Sequence, residues 1–584
     1  MFYYLRKTVN SILNYKTFLL LFIPACILSQ DVTTYYLQNK SPEWKETISF
    51  YKNLDLKFTE AKLFEEGLTD AGKPLNLFVI SMDGDFSPQS IRKKNKCILL
   101  INNAIHPGEP DGVDASMVFA KKILNDTASR KLLQHVVICI VPVFNIDGAL
   151  NRGCCSRTNQ NGPEQYGFRG NYQNLDLNRD FIKCDTKNTK SLTKIMRYWN
   201  PDLFVDTHVS DGADYQHVLT LIATQKDKLT PVLGNFLDKQ MLPVLYSEMN
   251  KKGISMCPYV DTYKEIPDSG ITGFLETPRF ASGYAALFNT LSFVTETHML
   301  KPFTQRVEAT LKFLEVITEY ANNRASTLLD VRKKSVEECL TKTSFPVSWE
   351  LDTSKKDMIL FKGYEAEHNP SSVTASQRLF YNHKKPYEKE IPFYNSYKPL
   401  VEIQKPKAYL VPQCWDRVIE RLKLNDVKMH TLINDTVILV ESYFIDDYKS
   451  STRPYEGHHL KTNVQLRKEK QNIHFFAGDF IIYTNQVSNR YIIESLEPQG
   501  VDSYFTWGFF DATLQQKEWF SDYVFEEMAD SILKNNNKLN TLFQQQKNTD
   551  STFAKDAFKQ LYFIYKNSDY FEKSYMRYPV YRLN

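Results

Sequence analysis

Between residues 35 and 325, five short runs are predominantly apolar: Cys97–Asn102, Val136–Val143, Leu203–Thr207, Val218–Ala223 and Leu291–Thr295. Unbroken apolar runs of this length suit strands buried on both faces of a sheet, because a half-exposed strand would alternate. Between them, Asp111–Leu124 and Leu192–Trp199 carry helical patterns. Strands interleaved with helices predict an α/β domain over 35–325, with a largely parallel or mixed sheet flanked by helices. The pattern changes after about Arg332. Asp357–Lys362 and Asp435–Glu441 belong to alternating, turn-punctuated stretches, which predict a β-rich C-terminal region over 330–584 with a more helical tail from about Gln515.

The first 29 residues differ from the rest. Arg6, Lys7 and Lys16 precede the apolar run Thr17–Ser29, and the chain turns polar at Gln30 and Asp31. A basic start, a hydrophobic centre and small residues before a cut have the form of a signal peptide, and the run is short for a membrane-spanning helix. This predicts a secreted or periplasmic protein with no transmembrane segment in the mature chain. A retained signal anchor, or a lipid on Cys26, is the alternative. Cleavage would remove three positive charges from a formal net charge of +4, leaving about +1 (4 − 3). With no basic block anywhere, nucleic acid is excluded as a partner. Cys97 and Cys139 fall in apolar runs and predict buried side chains. Cys154, Cys155 and Cys184 lie in or beside irregular sequence, where an exported protein can bridge two of them.

Candidate chemistry gathers where the apolar runs end. The first run leads into His106-Pro-Gly-Glu109, and ligands of α/β sheets collect beyond the carboxyl ends of strands. Alone, His-x-x-Glu is a weak signal, since a surface His followed by a helix-start Glu reads the same way. A second run ends in His208, and two His with one Glu make a zinc site that leaves a position for water. A third run ends in Glu296-Thr-His298. A carboxylate there can take the proton of an attacking water and hand it to a leaving amine. Between these lies Asp176-Leu-Asn178-Arg179. Asp176 can fix the tautomer of a ligand imidazole, and Asn178 with Arg179 offers donors suited to a carboxylate. A plain turn with Arg179 paired to a neighbour fits that segment equally well.

Taken in order, these pieces resemble the M14 zinc carboxypeptidases, the carboxypeptidase A group, over about residues 40–320. His106, Glu109 and His208 look like that family's zinc ligands. Asp176-Leu-Asn178-Arg179 is similar to its D-x-N-R, which supports a ligand His and clasps the substrate's C-terminal carboxylate. Arg157-Thr-Asn159 resembles its R-x-N, whose Arg stabilises the oxyanion, and Glu296 matches its catalytic Glu. Asn145-Ile146-Asp147-Gly148 resembles its NPDG turn, with Ile146 in place of Pro. The segment from Thr295 to Phe303 and the long C-terminal extension look like secreted M14 proteins of Bacteroidetes. The resemblance implies a three-layer sandwich, one zinc ion, and a peptide substrate with a free C-terminal carboxylate. A cell-wall peptide hydrolase or deacylase on the same scaffold, or an inactive binding or adhesion protein, is the rival reading. Tyr284 is the candidate for the family's substrate-gating Tyr. No acidic residue lies between Ala281 and Val294 to select basic side chains, so Ala285, Ala286 and Leu287 imply an apolar preference if they line the pocket. His217, His298 and His458-His459 are assigned structural roles.

Overall fold

The structure is a computed structural model that describes residues 31–584; the segment read as a signal peptide, with Cys26, lies outside the described residues. Eight strands form one mixed sheet: β1 (Ala61–Leu68), β2 (Pro74–Ile80), β3 (Cys97–Asn102), β4 (Val136–Val141), β5 (Leu203–Ser210), β6 (Leu219–Ala223), β7 (Met256–Pro258) and β8 (Leu291–His298). Their order is β1-β2-β4-β3-β5-β8-β6-β7. The central strands β4, β3, β5 and β8 run parallel, and β2 and β6 pair antiparallel on either side. Every residue of β3, β4 and β5 is buried, as the unbroken apolar runs require.

Helices α1 (Asp111–Asn125), α2 (Lys187–Trp199), α3 (Phe303–Asn323) and α4 (Ala325–Thr341) pack about this sheet. Both β5 and β8 run three residues beyond the ends read from their apolar runs, so His208 and Glu296 sit inside strands.

The C-terminal region is β-rich, as its alternation predicts. It contains a long hairpin of Asp357–Pro370 with Gln377–Tyr394, and a six-stranded sheet whose edge is a second hairpin, Thr436–Ser450 with Lys461–Phe475. Helices Asp522–Asn535, Asn537–Thr549 and Ala557–Lys566 form the helical tail around a small core of their own. The main buried apolar cluster is continuous from Tyr51 in the first part to Tyr491, Trp507 and Val580 in the second. The C-terminal region therefore packs directly on the sheet domain.

Candidate active site

After β3 the chain leaves the sheet at Ala104, whose φ of 54° is left-handed backbone rare for a residue with a side chain. That turn brings His106 back toward Glu109. Asn145 braces it from below, donating from Nδ2 to the carbonyls of Ile105 and Arg169 and accepting the Gly148 N–H at Oδ1. The start of α1 then presses on β5. A Cβ on Gly112 would lie 1.9 Å from Thr207 Oγ1, so only glycine permits this approach beside His208.

His208 and Glu296 occupy directly opposed positions of the parallel pair β5 and β8 and project on the same face. On that face His106, Glu109 and His208 bring ligand atoms within 4.8 Å of one another, all three residues buried. Each imidazole uses Nε2 for a supporting carboxylate: His106 toward Asp176 Oδ1 at 3.0 Å, and His208 toward Asp206 Oδ2 at 3.2 Å. Both Nδ1 atoms are thereby turned to Glu109, at 3.3 Å from His106 and 3.1 Å from His208. His106 Nδ1 is buried without a hydrogen-bond partner. An orphaned imidazole nitrogen, a second facing it and a carboxylate between them form the donor set that zinc takes, so these residues fit the ion.

Burial opposes ionisation of Glu109, but His106 and Arg157 outweigh it and hold the carboxyl well below its usual range. For His208 burial acts to lower the imidazole, yet Asp206 and Glu109 raise it well above the ordinary value. Such opposed shifts mark a cluster of charges forced together out of water.

The trio opens into a cavity of about 290 Å³ that is also lined by Arg157, Arg169, Asn178, Arg179, Glu276 and Glu296. Arg157 Nη1 donates to Glu109 Oε1 at 2.7 Å and Nη2 to the Val209 carbonyl at 3.0 Å. Arg179 Nη1 donates to the Asn178 carbonyl at 2.9 Å, and its guanidinium lies 4.3 Å from the centre of the Phe280 ring. Asp176, beside it, accepts the Asn178 N–H. Burial raises the half-buried Glu296; Glu109 and Glu276 add to that rise and His208 opposes it.

Tyr284 is not at this cavity. It is fully buried on the helix Ala281–Ala286, packs edge-on against Phe288 and hydrogen-bonds Asn425 of the C-terminal region, which covers that helix. Ala285, Ala286 and Leu287 are likewise core residues, and the apolar preference inferred from them falls with their placement. The tyrosine that does line the cavity is Tyr259, just beyond β7.

Three further groups escaped the sequence reading. Arg169 contacts Asp176 Oδ2 at 2.8 Å and approaches Glu109. Asp206, two residues before His208 on β5, supports that imidazole, and period-2 alternation would have pointed to it. Glu276 is only 6% exposed, and its Oε2 has no hydrogen-bond partner. Cys154 and Cys155 are bridged to each other, while Cys97, Cys139 and Cys184 are free and buried. His217 and His298 lie against the carbonyls of Ser255 and Ala213, and His458 against Asp185.

The chain is similar to several known proteins. Carboxypeptidase 2 of Trichophyton tonsurans is 21% identical over 444 residues, covering 72% of this chain and 76% of that protein. Carboxypeptidase 2 of Trichophyton rubrum is 19% identical over 420 residues, covering 70% and 73%. Among solved structures, carboxypeptidase A from Helicoverpa armigera superposes with a TM-score of 0.38 at 15% identity, over 51% of this chain and 76% of that one. No helix among the described residues is long and apolar enough to cross a membrane. Residues 48–282, which carry His106, Glu109 and His208 and stop short of Glu296, match the family described as zinc carboxypeptidase, peptidase M14.

Proposed function

We propose that the protein is an exported metallocarboxypeptidase that removes the C-terminal residue of peptides, with His106, Glu109 and His208 holding its one zinc ion. The observation that carries this reading is the meeting of two buried imidazoles, Glu109, Glu296 and Arg179 around one cavity. Bound there, zinc supplies the positive charge that polarises a water and the scissile carbonyl. The Glu296 carboxylate takes the proton of the attacking water and returns it to the leaving nitrogen, a role that its raised proton affinity suits. Arg157 stands beside Glu109 to meet the charge that develops on the carbonyl oxygen. Arg179 and Asn178 anchor the terminal carboxylate, with Asp176 steadying both the His106 ring and the Asn178 N–H. Export rests on the basic and apolar pattern of residues 1–29.

Glu276 sets the charge of the pocket beside this centre. Glu276 lines the cavity and its buried Oε2 has no hydrogen-bond partner; when ionised, this carboxylate favours a cationic side chain, so the C-terminal residue removed is Lys or Arg. The test of the catalytic reading is Glu296→Gln in the full chain. Turnover of a free-carboxylate peptide is expected to fall by about two to four orders of magnitude with zinc content unchanged. Near-normal turnover with zinc retained would overturn it.

A further inference from the structure

The C-terminal region reaches into the site through the tip of the hairpin Thr436–Ser450 and Lys461–Phe475. Tyr455 Oη accepts from Arg179 Nε at 3.1 Å, and Glu456 Oε2 accepts the Asp176 N–H at 2.8 Å. Two residues on, His458 Nε2 lies 2.7 Å from Asp185 Oδ2. Residues 455–458 thus touch Asp176 and Arg179 on the turn that also bears Asn178, and Asp185 just after it, though far from all three in the chain.

The tip is itself held rigidly. Tyr455 and His458 exchange backbone hydrogen bonds at 2.7 and 3.0 Å. The Tyr455 ring stacks on Trp507 with centroids 6.2 Å apart, and the Arg279 guanidinium lies 5.5 Å from its centre. Glu456 adopts a left-handed φ of 49°, a conformation that costs energy for a side-chain residue and persists only where surroundings impose it.

The effect falls on Arg179. Its Nη1 comes within 4.0 Å of Asp176 Oδ2, an oxygen that Arg169 already engages. A free Nε would let the guanidinium swing into a two-point pair with that carboxylate, spending its charge inside the turn. The Tyr455 hydroxyl, a neutral acceptor, occupies Nε instead and leaves the outer edge of the guanidinium turned to the cavity.

We propose that residues 455–458 form a strap that sets Arg179, with Tyr455 a positioning residue for the substrate's terminal carboxylate. This rests on the reading of Arg179 as the carboxylate anchor. Tyr455→Phe in the full chain keeps the stacking and removes only the oxygen. For a peptide with a free C-terminal carboxylate, KM is expected to rise about five- to tenfold while kcat stays within about twofold, as for lost ground-state binding. The inhibition constant of the free amino acid product rises in parallel, while that of acetohydroxamate, which has no carboxylate, stays put. Zinc content and melting temperature do not move. Arg179→Ala is measured alongside. If it raises KM and Tyr455→Phe does not, the strap is overturned and the anchor stands. If neither variant alters KM, the anchor falls and the strap with it. A fall in kcat at unchanged KM in Tyr455→Phe also overturns the strap.

Discussion

Replacing Glu276 with Gln preserves the volume of a buried side chain and removes its charge, which isolates what that charge does. An ammonium about 4 Å from a carboxylate gains roughly 4 kcal/mol at an effective dielectric near 20. Desolvating both ions takes back part of this, and hydrogen bonds to charged groups are worth a net ~1.5–3 kcal/mol. The substitution is therefore expected to lower kcat/KM for peptides ending in Lys by about 10- to 150-fold, at 1.36 kcal/mol per factor of ten. Peptides ending in Leu change by less than about threefold, since they make no charged hydrogen bond to lose. Burial pushes the Glu276 carboxyl up to about 7, with Asp206 adding to the rise and His208 opposing it. Its ionised fraction thus grows as pH rises through neutrality, and the Lys-to-Leu ratio of the native enzyme grows with it. The variant's ratio stays flat.

Stability supplies a second measurement with a definite sign. A folded-state carboxyl raised from 4.5 to about 7 binds its proton more tightly than in the unfolded chain, so its contribution is full below pH 4.5 and is lost as pH rises through about 7. At 1.36 kcal/mol per unit the loss is at most about 3 kcal/mol. Glu276→Gln escapes it, and the melting temperature of the variant is expected to exceed that of the native protein at pH 8 but not at pH 4. Equal losses of activity on Lys and Leu peptides, with no pH trend in their ratio, would refute the reasoning and assign Glu276 to the metal cluster instead.

Two other substitutions probe the scaffold behind the site. Arg306 and Asp111 form a fully buried pair, with Nε to Oδ2 at 2.9 Å and Nη2 to Oδ1 at 3.2 Å, and Arg306 also holds the carbonyls of Asn161 and Gly162. Arg306→Leu leaves Asp111 charged and unpaired, and a loss of about 3–5 kcal/mol in denaturant unfolding is expected. Gly112→Ala forces a methyl into Thr207; a cost of about 1–3 kcal/mol is expected, with reduced zinc retention on dialysis because Thr207 adjoins His208.

What could be read from the chain alone follows physical range. Cys97–Asn102 and Leu203–Thr207 are legible because burial on both faces removes the polar alternation of a half-exposed strand, and the candidate ligands follow from where those runs stop. Tyr284 misled because a tyrosine sealed in a core and one at a cavity rim look alike in sequence; only the packing of Asn425 and Tyr491 over its helix separates them. Glu276 and Arg169 lie in irregular segments, where no periodicity assigns a direction to a side chain. Tyr455 and Glu456 were beyond reach for another reason. Their partners, Arg179 and Asp176, stand on a distant turn, and only the folded hairpin brings them together.

The pairing of Glu296 with His208 constrains how this protein can vary through evolution. Side chains alternate along a strand, so gaining or losing one residue within 203–208 or 291–296 would turn His208 or Glu296 to the opposite face of the sheet. Substitutions there are a matter of packing, whereas changes of length are catalytic events. Gaps among functional relatives will therefore fall in connections such as 211–218 and 259–280, which can lengthen or shorten while the two rungs stay in register.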